Sequence, residues 1–106
     1  MSAQATALLK QQIENDCYIV TLSGALTMTT VASLFNDVRE PSKGETIIIE
    51  TKDVTEADSS GLALLTAIIR RAQTNGAQVK LLPLPKVLAS IIEIYGLEDI
   101  LSAYHA

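Results

Sequence analysis

The hydrophobic pattern at the start of the chain is that of two extended segments, ALLKQQIEND and CYIVTLSGAL. They meet at Asn15 and Asp16, a pair that suits a tight turn although it lacks the usual glycine. In the second segment Tyr18, Val20 and Leu22 share one face, as expected for the two-residue period of a strand. The pattern predicts a β-hairpin.

The apolar period then changes to that of a helix in the segment TMTTVASLFNDV. Threonines precede the apolar run and are able to cap a helix start, whereas Pro41 and Gly44 indicate where the helix ends. The apolar positions assigned to this first helix are Met28, Val31, Leu34, Phe35 and Val38.

The next apolar run, TIIIE, is short, β-branched and free of alternation. Such a run is typical of a central strand that is buried on both faces, so we expect helices to cover the sheet. A further strand is predicted in the segment AQVKLLPL.

The strongest helical pattern of the chain runs from Ser59 or Ser60 to about Thr74, and Asn75 and Gly76 supply a left-handed stop at its end. Its predicted inward positions are Leu62, Leu65, Ile69 and Ala72, with Leu64 and Ile68 widening the same face.

Two more helices are predicted near the end of the chain. Pro85 opens the first and Gly96 closes it, and LEDILSAYH indicates a short last helix. The first is expected to bury Val87, Leu88, Ile91 and either Ile94 or Tyr95. A C-terminal apolar set is interpreted as core by default, although it would also suit a contact surface: Ile92, Leu97, Ile100, Leu101 and Tyr104.

The resulting order is β-β-α-β-α-β-α-α, without an internal repeat or linker, and it predicts a single domain over residues 1–106. Strand–helix–strand units attached to a hairpin give an α/β sandwich with mixed strand pairing. We expect a sheet of four to five strands covered by about four helices.

Charge, cysteine content and the length of the apolar runs limit the classes of partner and the cellular compartment that the sequence predicts. The chain has 12 acidic and 8 basic residues, spread without runs, which argues against nucleic acid or an anionic membrane surface as a direct partner. Cys17 is the only cysteine, so we expect core filler in a reducing compartment. The first residues lack signal-peptide features and the apolar runs are too short to span a membrane, which predicts a soluble cytoplasmic protein.

The residues that enzymes use are scarce in this sequence. The only histidine, His105, is next to the end of the chain, so no Ser-His-acid triad is expected. No Cys/His cluster has zinc spacing, and the glycines are too scattered for a P-loop or a dinucleotide fingerprint. The sequence therefore predicts a protein that is not an enzyme and holds no metal or cofactor.

A phospho-acceptor role for Asp58 is not favoured either. That chemistry needs an acidic pair that binds magnesium, and a lysine, at converging strand ends. The neighbouring acids, Asp53 and Glu56, are expected on a loop, where isolated charges most often belong to a solvated connection.

The segment TEADSSGLALL places Asp58, Ser59 and Ser60 at a predicted strand-to-helix junction. The free N–H groups of a helix start can be capped by such side chains, and they can also receive an anion or a partner. Helical spacing continues a stripe of small or polar residues on the outer face: Ser59, Ala63, Thr66, Ala67 and Arg70. From spacing alone, this stripe is either an ordinary solvent-facing surface or a flat docking surface.

A resemblance covers nearly the whole chain. The segments VTLSGALT, IIIETKDVTEADSSGLALL, AQTNGAQVKLLPLPKVLASI and YGLEDIL resemble the STAS domain family, which includes bacterial anti-sigma factor antagonists. The resemblance implies a STAS-type fold. In the antagonists a partner kinase phosphorylates the serine that follows the aspartate, which corresponds to Ser59 here.

One branch of that family is more similar to this chain. Thr27 stands where antagonists commonly carry an acid, and the segments DSSGLALL, IIRRAQTNGAQV and IIEIYGLEDIL resemble the cytoplasmic STAS subunits of the Mla phospholipid ABC transporter. This resemblance implies a non-catalytic subunit that binds the transporter's ATPase, lies at the inner membrane through that partner, and serves outer-membrane lipid asymmetry.

In that branch the residue matching Ser59 lies at the ATPase contact, so the expected partner-binding surface joins the junction to the outer stripe of the helix. The alternative is an anti-sigma factor antagonist that binds an anti-sigma factor kinase and is switched by phosphorylation of Ser59. Self-association stays open.

Overall fold

The computed structural model describes residues 6–15 and 17–105. The order of its strands and helices is the order that the hydrophobic pattern predicts. The elements are β1 (Ala7–Glu14), β2 (Cys17–Leu26), α1 (Val31–Asp37), β3 (Thr46–Ala57), α2 (Ser59–Thr74), β4 (Gln78–Leu81), α3 (Lys86–Ile94) and α4 (Glu98–Ser102).

The strands form one mixed sheet in the order β1-β2-β3-β4. β1 and β2 pair antiparallel, whereas β2, β3 and β4 run parallel to one another. Asn15, in the β1–β2 turn, has a φ of 54°, a left-handed conformation that Asn tolerates better than most residues. Its predicted turn partner, Asp16, lies outside the described residues.

The helices pack on one face of the sheet. Tyr18, Val20 and Leu22 of β2 point to that face and are fully buried, together with Ile47 and Ile49 of β3. α2 contacts α1, α3, β3 and β4, so it lies at the centre of the helical layer. The molecule is therefore a two-layer α/β sandwich with one core.

The expectation that β3 is buried on both faces is wrong. Ile48 points away from the helices and is half-buried, as is Ile19, its register partner on β2. Lys80, its partner on β4, is exposed. Cys17 also points to this open face and is half-buried rather than part of the core. A β-branched run stabilises a strand whichever layers cover it, so the run does not reveal how many layers there are.

α1 is shorter than the pattern predicts. Met28 precedes the helix and is 77% exposed, and the helix ends at Asp37, before Pro41. The Thr30 hydroxyl donates to the carbonyl oxygen of Ala25 at 2.8 Å instead of capping α1. Thr30 therefore ties the start of α1 back to the end of β2.

β3 is longer than the pattern predicts and continues to Ala57. Asp53 and Glu56, which were expected on a loop, are exposed residues of this strand, and they pair with Ser23 and Ala25 of β2. The β2–β3 register shifts in this part of the ladder, and such irregular pairing disturbs the regular apolar alternation.

The C-terminal apolar set divides between core and surface. Ile92 and Leu101 are buried, as predicted, whereas Ile100 is 62% exposed. Ile94 and Tyr95 were alternatives for the buried end of α3, and both are exposed. Leu97 and Tyr104 are half-buried. With nine residues, α3 buries Leu88 and Ile92, one helical turn apart, and turns its last apolar residues outward.

The last described residues pair with the end of β4 at one position. The backbone N–H of Leu81 donates to the carbonyl oxygen of Tyr104, and His105 forms a parallel bridge with Leu81. Among the described helices, none is long and apolar enough to cross a membrane.

Candidate functional site

Asp58 is the N-cap of α2. One of its carboxylate oxygens, Oδ1, accepts a hydrogen bond from the backbone N–H of Ser60 at 2.8 Å, and Oδ2 accepts from the backbone N–H of Met28 at 3.3 Å. The same side chain therefore caps the helix and joins it to the β2–α1 loop. The predicted strand-to-helix junction is confirmed, and of the two predicted helix starts, Ser59 or Ser60, the helix begins at Ser59.

The first turn of α2 rests directly on the end of β2. A Cβ atom on Gly61 would lie 2.8 Å from the carbonyl oxygen of Leu26 and 3.0 Å from its Cβ. The backbone N–H of Asp58 also donates to that carbonyl oxygen, at 3.2 Å. Glycine at position 61 permits this approach, which sets where Ser59 lies.

The serine hydroxyls remain outside the cap. Ser59 is exposed, and its hydroxyl makes no hydrogen bond within residues 6–15 and 17–105; Ser60 is half-buried. Because the carboxylate of Asp58 does the capping, the Ser59 hydroxyl is accessible to another molecule.

The predicted stripe forms the outer ridge of α2. Ser59, Ala63 and Arg70 are exposed, and Thr66 and Ala67 are half-buried. The Thr66 hydroxyl donates a hydrogen bond to the carbonyl oxygen of Ala63 at 3.0 Å, so the Thr66 side chain does not project far from the helix. We call these five residues the α2 ridge, and its surface from Ser59 to Ala67 carries only small side chains.

The tertiary structure places a groove on each side of the ridge, and the sequence analysis identified neither. The α1/α2 groove, of about 240 Å³, is lined by Val31, Ala32, Phe35, Ser60, Ala63, Leu64 and Ala67. The α2/α4 groove, of about 350 Å³, is lined by Thr66, Ile69, Arg70, Gln73, Leu97, Ile100, Leu101 and Tyr104. The sequence signals for the second groove were Thr66 and Arg70 of the stripe and the C-terminal apolar set, which was interpreted as core by default although it also suited a contact surface.

Arg71 fixes the distance between α1 and α2. Its guanidinium carbon lies 4.3 Å from the centre of the Phe35 ring, and its Nη2 donates to the carbonyl oxygen of Val38 at 2.8 Å. A guanidinium stacked on an aromatic face with a further hydrogen bond holds the two helices together at the end of the α1/α2 groove. Phe35, which lines the α1/α2 groove, is therefore held in position by Arg71.

The polar cluster around Tyr18 lies away from this site. The Tyr18 hydroxyl accepts from the backbone N–H of Arg39 at 2.8 Å, and burial raises the pKa of Tyr18. Glu45 accepts from the backbone N–H of Ser42 and from the Arg39 guanidinium, which lower the pKa of Glu45. Tyr18 is ~25 Å along β2 from Leu26, so this cluster supports the fold rather than the helix start.

The exposed ridge with its adjoining grooves is suited to binding another macromolecule. Within the described ranges no group of three or more His, Cys, Asp or Glu side chains is placed to hold a metal ion. The Ser59 hydroxyl also has no neighbouring histidine base, because His105, at the other end of the chain, pairs with β4. The Ser59 hydroxyl is therefore exposed without a base that would activate it as a nucleophile.

Two solved structures share the fold of this chain. The anti-sigma factor antagonist SpoIIAA in its unphosphorylated form is 17% identical, with a TM-score of 0.66 over 87% of this chain and 84% of that chain. An anti-sigma factor antagonist from Mycobacterium paratuberculosis is also 17% identical, with a TM-score of 0.67 over 94% of this chain and 86% of that chain.

Comparison of sequences identifies the family. No curated protein sequence matches the chain. Residues 9–102 match the family model described as "Mlab, STAS domain". That match spans most of the chain, and the mixed sheet with its helical layer agrees with the STAS fold of the two antagonists. The chain therefore belongs to the STAS domain family described by that model.

Proposed function

We propose that this protein is a non-catalytic STAS subunit, of the MlaB type, that binds the cytoplasmic ATPase of a phospholipid ABC transporter and supports its assembly and activity. The observation that carries the proposal is the α2 ridge, which presents an exposed Ser59 hydroxyl and a run of small side chains between two grooves. The description of the matching family, "Mlab, STAS domain", supports the same branch.

The geometry of the ridge suits a protein partner. Small side chains such as Ala63 and Ala67 let another helix approach closely and lose little conformational entropy when they become buried. The α1/α2 groove beside them is lined mainly by apolar side chains and can receive a side chain of the partner. Ser59, at the end of the ridge, can contribute a hydrogen bond within such an interface.

The proposed role places this chain in the cytoplasm, at the inner membrane only through its partner. There it serves the lipid asymmetry of the outer membrane. The catalytic work belongs to the ATPase, and this chain supplies a firmly positioned surface.

The test is affinity purification of the tagged protein from its own host, followed by identification of the chain that co-purifies. We expect a P-loop ATPase of an ABC transporter. Ser59→Ala should retain that ATPase, whereas Ser59→Arg and Ser59→Glu should lose it, because a large charged group would be desolvated in the contact. Each variant should still melt cooperatively.

Ser90→Arg is the matched control, because Ser90 is exposed on α3 and lines neither groove. It should retain the ATPase. Capture of the ATPase by both Ser59→Arg and Ser59→Glu would exclude the start of α2 as the contact.

A second function remains a candidate because the Ser59 hydroxyl is exposed beside Asp58 at a helix start, where a kinase can reach it. The chain would then be an anti-sigma factor antagonist, as the two proteins of similar fold are named. Phosphate on Ser59 would add ~1.5 to 2 negative charges next to the carboxylate of Asp58 and change the affinity for the partner.

Mass spectrometry of the native protein separates the two functions. The transporter subunit should carry an unmodified Ser59. The antagonist should carry stoichiometric phosphate on Ser59 when its kinase is present, and Ser59→Ala should hold it in the state that captures the kinase.

A further inference from the structure

The α2/α4 groove leaves a large apolar side chain exposed in a concave position. Ile100 is 62% exposed and lines this groove beside Leu97, while Ile69 and Leu101 form a buried floor. The volume of about 350 Å³ lies at the lower end of the range of small-ligand sites, ~300 to 1,000 Å³. Covering the exposed apolar surface of Ile100 and Leu97 would be favourable.

The rim of the groove on the α2 side carries a cation. Arg70 is exposed, and its guanidinium makes no ion pair with any residue in the described ranges. The neighbouring polar side chains make hydrogen bonds of their own: the Gln73 side-chain amide contacts the Tyr104 hydroxyl, and the Thr66 hydroxyl donates to a backbone carbonyl. A guanidinium with unused donors binds a carboxylate through two parallel hydrogen bonds.

We propose that the α2/α4 groove binds a single-chain amphiphile with a carboxylate head. The acyl chain lies against Ile69, Leu97 and Ile100, and the carboxylate pairs with Arg70. The charge of the rim selects an anion, and the apolar floor selects a hydrocarbon chain.

The walls of the groove favour such a ligand over an extended peptide. Ile69 lies on α2 and Ile100 on α4, and helices pair their backbone groups internally. An extended peptide in the groove would find few partners for its own N–H and C=O groups, whereas an acyl chain has none to satisfy.

The site shares Thr66 and Arg70 with the α2 ridge, but it lies at the end of the ridge opposite Ser59, where the ATPase contact is tested. Ser59 and Arg70 are ~16 Å apart along α2. Binding of the amphiphile should therefore survive Ser59→Arg, so this inference and the proposed function stand or fall separately.

The experiment is a titration of the methyl-labelled protein with decanoate below its micelle concentration, followed by NMR. We expect saturable shifts of the methyl groups of Ile69, Leu97, Ile100 and Leu101. Arg70→Glu should weaken decanoate binding at least about tenfold, because charge-assisted hydrogen bonds are lost and a repulsive charge is added. Ile100→Ser should also weaken it.

Two substitutions on α3 are matched controls. Lys86→Glu makes the same kind of charge reversal and Ile94→Ser the same polar replacement, at exposed positions outside the groove. Both should leave the Kd for decanoate nearly unchanged. Cooperative melting of each variant would show that the fold is retained.

Several results would overturn the proposal. Decanoate binding by Arg70→Glu as tightly as by the parent would exclude the role of Arg70. Shifts that do not saturate, or that appear equally at Ile19 and Ile48 on the open sheet face, would show non-specific association. If decanoate gives no saturable shift while Ile100→Asp abolishes capture of a partner protein, the groove is a protein contact instead.

Discussion

Gly61 and Leu26 are in such close contact that a single added methyl group at position 61 would lie 2.8 Å from the carbonyl oxygen of Leu26. This contact brings the start of α2 onto the end of β2. The exposed position of Ser59 depends on it, because Ser59 follows the N-cap in the same helical turn.

We therefore expect Gly61→Ala to destabilise the domain, although alanine favours a helix over glycine. The clash is with backbone and with a β-carbon, neither of which can move aside easily, so the free energy of unfolding should fall by ~1 to 3 kcal/mol. Urea denaturation measures this. Ser59→Ala, in the same turn, should change the free energy of unfolding by much less. Equal stability of Gly61→Ala and the parent protein would show that the start of α2 can shift to make room for the methyl group.

Asp58→Ala should lower the free energy of unfolding by ~0.5 to 2 kcal/mol, because α2 loses its cap and Met28 loses a hydrogen bond. Asp53→Ala is the control, since Asp53 is an exposed acid on β3. It should stay within ~0.5 kcal/mol of the parent. Equal effects of the two substitutions would indicate that only the loss of a negative charge matters.

Thr51→Val should stabilise the protein. Thr51 is fully buried, and its hydroxyl has no hydrogen-bond partner in the described part of the chain. Burying this hydroxyl costs free energy that no hydrogen bond offsets, and valine removes that cost. We expect a gain of ~1 kcal/mol in thermal or urea denaturation.

Thr30→Val is the matched contrast. The Thr30 hydroxyl donates to the carbonyl oxygen of Ala25 and accepts from the backbone N–H of Thr27. Its loss should therefore destabilise the protein, by ~1 to 2 kcal/mol. A loss of stability in Thr51→Val as well would mean that the Thr51 hydroxyl is satisfied by an internal water.

Alkaline pH should weaken the fold through Tyr18. Burial raises the pKa of its hydroxyl above the ordinary 10.0, so the folded state keeps the proton where the unfolded state releases it. The contribution of Tyr18 to stability is complete below that ordinary value, and it is lost as the pH rises from there through the raised pKa of the folded state.

The measurement is the free energy of unfolding against pH on both sides of that value. Tyr18→Phe should remove part of the alkaline decline, whereas Tyr95→Phe should not, because Tyr95 is 56% exposed. Parallel pH curves for the two variants would contradict the assignment to Tyr18.

Local signals in the sequence determined the order and type of the elements. α2 begins at Ser59 because Asp58 is a good cap, and it ends at Thr74, with Asn75 as its C-cap, because Gly76 adopts a φ of 79°. The buried face of α2 also follows from its own period, since Leu65 and Ile69 are both in the core. These properties depend on residues within a few positions of one another.

Only the tertiary structure decided which surfaces remain open. The pattern of Ile47 to Ile49 indicates a strand but not the number of layers that cover it, and the helices turned out to occupy one face. Ile100 has the same local character as Leu101, yet one lines an open groove and the other is buried. The grooves beside the α2 ridge exist because segments distant in sequence, α1 and α4, lie beside α2. Periodicity within one helix carries no information about its neighbours in space.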